Sequence, residues 1–179
     1  MLPTDNHGLD RASALYQEIL RQQKTFIQDN HGPKATFGCA LGYPEGLIAK
    51  MMEFYGVSAD KIKFGASSAK FGIFHYIGFL VNGIKEGWAI EKVNMRVVLE
   101  MEFRNGQYYS ENGKVFNGGA LMFQGRFEKS DLCGFGRCYN PKTGKLMIHG
   151  FFSPPGMSDP NRVIKFGEDG SVESNFSQD

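Results

Sequence analysis

Cysteine is scarce in this chain: Cys39, Cys133 and Cys138 are the only three. They are odd in number and form no Cys-x-x-Cys pair, which argues against a disulfide framework or a structural zinc site and points to a reducing compartment. An excess of charge of one sign is missing too. Twenty basic and nineteen acidic residues leave a net charge of +1, with no Lys/Arg run. That balance offers no attraction to nucleic acid, and peripheral membrane association has no support from charge. No apolar run is long enough for a transmembrane segment; the nearest, residues 71–81, is broken by Gly72, His75 and Gly78. The N-terminal stretch has neither an apolar signal core nor the acid-free composition of a transit peptide. The expected location is cytoplasmic.

Glycine and phenylalanine are plentiful, at 23 and 16 residues, and 41% hydrophobic content suffices for a core. Residues 9–28 place Leu9, Ala12, Tyr16, Ile19 and Phe26 near one helical face, with Arg11, Gln17, Arg21 and Lys24 opposite. A second helix is expected from Pro44, packing Leu47, Ile48, Met51, Met52 and Tyr55 and stopping at Gly56. Between them, residues 35–42 read as extended. From about Lys61 the helical period disappears and turn signals recur: Asn82-Gly83, Asn105-Gly106, Asn117-Gly118-Gly119, Asn140 to Gly144, and Glu168-Asp169-Gly170. Asn-Gly tolerates the positive φ of a type I′ hairpin turn, so the pattern is a meander of hairpins. The expected organisation is a helical segment over residues 1–60 and a β-domain over 61–179, ending in a hairpin around Glu168 to Gly170.

One small unit recurs in the β-domain. Phe123, Gly125 and Phe127 occupy positions 1, 3 and 5, with Gly134 and Gly136 at 12 and 14. Upstream, Leu99, Met101 and Phe103 fill positions 1, 3 and 5, with Gly106 at 8, and Tyr76, Gly78 and Leu80 do so with Gly83 at 8 and Gly87 at 12. Downstream, Ile148, Gly150 and Phe152 begin a copy that Pro154-Pro155 interrupts. Phe54, Tyr55 and Gly56 allow an earlier copy, with Gly65 following, but Gly56 reads better as a helix cap.

This array resembles the MORN repeat, Tyr-x-Gly-x-Trp-x-x-Gly-x-x-x-Gly-x-Gly, over about residues 76–152. In the second copy Met101 replaces Gly, and Ser110 and Asn112 replace the last two glycines. The resemblance implies an antiparallel hairpin meander with stacked repeats and a non-enzymatic scaffold that binds other protein chains. Such proteins organise cytoskeletal, ciliary or membrane-junction assemblies, and some relatives bind peptides along an aromatic groove. Carried over by position, the groove residues here are Tyr76, Phe103, Phe123, Phe127 and Phe152; the same rings also serve as a stacking core.

Parity supports the unit independently. Positions 1, 3 and 5 share one apolar face, and positions 2 and 4, including Glu100, Glu102, Gln124, Arg126 and His149, share a wet one. Gly125 at position 3 then faces the apolar side between two rings. Catalytic and metal patterns do not stand out. Cys133 and Cys138 lie five apart, which puts them on opposite faces. His75 and His149 lie in distant copies, and Glu100 and Glu102 read as part of a solvated face. No catalytic residue, metal ligand or cofactor is expected. The alternative fold and function is a small closed β-barrel holding an apolar ligand, which strand closure would distinguish.

Overall fold

The computed structural model describes residues 8–30, 42–65, 74–153 and 157–174. It is mainly antiparallel β with two helices. The strands are β1 Ile62–Gly65, β2 Phe74–Val81, β3 Ile84–Val93, β4 Arg96–Arg104, β5 Gln107–Tyr108, β6 Ser110–Asn117, β7 Ala120–Glu128, β8 Asp131–Tyr139, β9 Leu146–Ser153, β10 Met157–Phe166 and β11 Val172–Ser174. Their hydrogen-bonded order follows the chain, with the short β5 aside on β4. The order begins at β1 and ends at β11 without closing, as a meander requires and a closed barrel forbids. By contacts the chain forms two compact units, Met1–Glu91 with Phe103–Gly106, and Lys92–Glu102 with Gln107–Asp179.

The hairpin turns fall where Asn-Gly placed them. Asn82 and Gly83 have φ of 51° and 77°, and Asn105 and Gly106 have 52° and 79°. Two further turns carry no glycine: Asn94-Met95 at 50° and 66°, and Lys129-Ser130 at 51° and 68°. An L-residue with a bulky side chain is disfavoured in this region by about 1–2 kcal/mol. Met95 is 64% exposed, so its side chain contributes little packing in return. Met95→Gly should therefore raise stability by about 1 kcal/mol, read as a higher urea midpoint at unchanged m-value. A lower midpoint would mean that the methionine packs in a way its exposure does not suggest.

In the first unit, helix α1 spans Ala14–Asn30 rather than residues 9–28. It starts late because Ser13 Oγ accepts the Tyr16 N–H at 3.2 Å, in the manner of an N-cap, after a turn over residues 9–13. Helix α2 spans Leu47–Tyr55, preceded by Pro44 in a turn and stopped by Gly56 at φ 64°. Phe54 and Tyr55 are helical, so no earlier repeat begins there. Tyr16, Ile19, Phe26 and Ile27 are buried, and α1 packs on α2 and β2 within the unit. Phe26 meets Phe64 and Phe79 at ring-centroid distances of 5.2 and 6.3 Å.

Two expectations about faces need correction. Arg11, placed opposite the apolar stripe, is 5% exposed, whereas Ala12, placed on it, is exposed. The wet face of positions 2 and 4 does not hold for the first repeat: Ile77 and Phe79 sit there and are buried, with Phe26 of α1 against Phe79. Nor does it hold for Glu102 of the second, which is also buried. Residues 35–41 of the expected extended segment lie outside the described residues. The last hairpin, β10–β11, is present around Glu168 to Gly170 as expected.

Candidate functional site

The five aromatic positions taken from the repeat are all buried. In the first unit Tyr76 and Phe103 are inaccessible and meet edge to face at 5.5 Å. The Tyr76 hydroxyl donates to the Phe79 carbonyl at 2.8 Å. Burial, and then the charges of Glu91 and Glu86, push its pKa well above the ordinary tyrosine value, so it stays neutral. Lys85 Nζ lies over both rings and is held by Glu91 at 2.7 Å. In the second unit Phe123 meets Phe127 and Phe152 edge to face at 5.5 and 5.3 Å. A peptide would reach these rings only by displacing what covers them.

Glycine makes this ring packing fit. Position 3 of each repeat lies across from a residue on a neighbouring strand, and one of the two is always small. Met101 packs against Gly113, Gly125 faces Gly136, and Gly150 faces Val163. The sulfur of Met101 occupies the place a Gly113 side chain would take. In the first unit a Cβ on Gly78 would come within 2.6 Å of the Ala89 methyl. In the second repeat, then, the compensating glycine is residue 113, one place after the motif position held by Asn112.

The same unit contains a second, outward row. Gln124, Arg137 and His149 are direct cross-strand neighbours on β7, β8 and β9. With Glu111, Asn112 and Phe135 they line a shallow cleft of about 390 Å³ floored by Gly125 and Gly136. Gln124 donates to Asn112 Oδ1 at 2.8 Å. Beside this row Phe135, 65% exposed, lies opposite Phe151, with the rings edge to face at 5.6 Å. The Arg162 guanidinium sits 3.7 Å over the Phe151 ring. Arg126 lies within 3.8 Å of Glu111 and 3.6 Å of Glu128. Arg137, His149 and Arg162 have no carboxylate partner among the described residues.

Gln124 and His149 were expected on a wet face, but Phe135, Arg137, Phe151 and Arg162 were not singled out. Parity was the available signal: residues 135 and 137 alternate with the glycines of positions 12 and 14, and so face outward. Cys133 lies 3.9 Å from Glu128, while Cys138 stands opposite Phe123. Burial raises both thiol pKa values, with Glu128 adding to the rise at Cys133, so both remain protonated at neutral pH. His75 belongs to one unit and His149 to the other. Among the described residues no group of three or more His, Cys, Asp or Glu is arranged to hold a metal ion. No described helix is long and apolar enough to cross a membrane. Compared with known proteins, the chain matches no family model, no curated protein and no solved structure.

Proposed function

We propose that this chain is a non-enzymatic protein-binding module, a subunit of a larger assembly, whose contact surface is the outward face of β7, β8 and β9. The observation that carries the reading is Phe135: a large ring, 65% exposed, backed by Phe151 on regular sheet rather than on a loop. Rigid aromatic side chains among polar neighbours supply contact area at low entropic cost, which is why such residues dominate protein interfaces. The buried repeat aromatics then act as scaffold, holding that face in register. Resemblance to MORN repeats supports the same class, and through it a role in cytoskeletal or membrane-junction assemblies.

Photo-crosslinking tests the reading. With p-benzoylphenylalanine in place of Phe135, a discrete protein adduct should form in the source cell. The same residue in place of Glu53, exposed on α2, should give only background. Equal labelling from both positions would remove the case for this face.

A further inference from the structure

Resting on that reading, we infer that the partner presents an acidic, extended peptide segment, with a carboxylate seated between Arg137 and His149. The argument is one of charge left over. On the same face Arg126 already has Glu111 and Glu128, and Lys114 has Glu100 at 3.9 Å. Arg137 and His149, adjacent across β8 and β9, have none, and neither has Arg162. A planar guanidinium presents paired donors matched to a carboxylate, and the imidazole N–H adds a further donor at the same place. Gln124, with its amide nitrogen committed to Asn112, leaves its oxygen free to accept a peptide N–H.

The rings define the rest of the ligand. Phe135 and Phe151 form an apolar shelf next to Arg137, and Arg162, stacked on Phe151, keeps its charge at the shelf's edge. An extended segment alternating acidic and apolar side chains would meet both features at once. Exposed aromatics beside arginines on a sheet also suit single-stranded nucleic acid. Here the arginines without a carboxylate partner are few, and Arg126 on the same face is already paired with Glu111 and Glu128, whereas a phosphate backbone needs a continuous basic track. The peptide is the better fit.

The probe is a fluorescein-labelled peptide of alternating Glu and Leu, read by anisotropy on the full chain, beside a Lys/Leu peptide and an oligo-dT of similar length. The Glu/Leu peptide should bind most tightly and weaken at high salt. Arg137→Glu should reduce its affinity by about tenfold, because an attraction becomes a repulsion. Lys142→Glu, at an exposed hairpin position, should leave it unchanged. The Arg137 side chain is exposed and makes no hydrogen bond or ion pair with a described residue, so its variant should melt with the wild type; circular dichroism checks this. Tighter binding of oligo-dT, equal binding of the Lys/Leu peptide, or indifference to Arg137→Glu would each overturn the inference. Any of these alongside a protein adduct at position 135 would leave the binding reading standing. Absence of that adduct would count against the reading itself.

Discussion

Arg11→Ala should destabilise the first unit by about 3–5 kcal/mol, the range for removing one partner of a buried ion pair. Arg11 and Glu86 are 3% and 6% exposed at their side chains and meet at 2.8 Å, with a second, longer contact at 3.4 Å. Arg11 also donates to the Tyr16 hydroxyl at 3.0 Å and lies over the rings of Tyr16, Phe54 and Tyr55. Burial works against its charge, but Tyr16 and Glu86 outweigh that and hold the guanidinium protonated. Without Arg11, Glu86 would keep, among the described residues, only the Tyr55 hydroxyl at 3.3 Å and the Asn105 N–H at 2.9 Å. A charge so placed is undercompensated, and the lost stacking adds to the cost. Pairing Arg11→Met with Glu86→Leu removes both charges. The double variant should lose less than the sum of the singles by roughly 2 kcal/mol. Simple additivity in urea melts would show that the two residues act separately.

Gly125→Val should cost about 3 kcal/mol in the second unit, seen as a melting temperature lower by roughly 6–12 °C. A Cβ at this position would lie 2.7 Å from the Gly136 Cα, 2.8 Å from the Phe135 carbonyl oxygen and 3.1 Å from the Phe123 ring. Rings were expected to be the obstacle, but the closest atoms are backbone of the neighbouring strand. A side chain can rotate away from a clash, whereas a paired backbone moves only by breaking ladder hydrogen bonds. Gly65→Val is the matched control, because no described residue lies within 4 Å of a Cβ there; it should change stability by less than about 0.5 kcal/mol. Equal melting of wild type and Gly125→Val would refute the packing argument.

The two valine sites also show what the sequence made legible. Alternation along β7 identified the face of Gly125, because a two-residue period survives in any half-buried strand. Hairpins were legible where Asn-Gly announced positive φ. They were hidden at Asn94-Met95 and Lys129-Ser130, where register on both sides imposes the turn on residues that disfavour it. Arg11 was misplaced because helical periodicity has no meaning for a residue ahead of the N-cap. Gln23 was likewise invisible as a buried group. Its side-chain oxygen accepts the Trp88 N–H at 3.1 Å, beside Gly87 at φ 79°, so α1 grips the sheet through backbone. The outward cleft was hardest to anticipate: its residues come from separate strands, and no spacing within one strand brings Gln124, Arg137 and His149 together.

The cross-strand pairs that always include a small residue carry a consequence for descent. Each pair has room for one large side chain at most, so Met–Gly at 101 and 113 and Gly–Val at 150 and 163 are two solutions of one constraint. A lineage passing from one solution to the other has a single tolerated order. It must first lose the large side chain, passing through a glycine pair such as Gly125 with Gly136, and only then regain bulk on the opposite strand. The reverse order sets two side chains in space for one. Copies that drift along this path keep their packing while shedding the glycine that marks them, so the repeat can fade from the sequence while the sheet it builds persists.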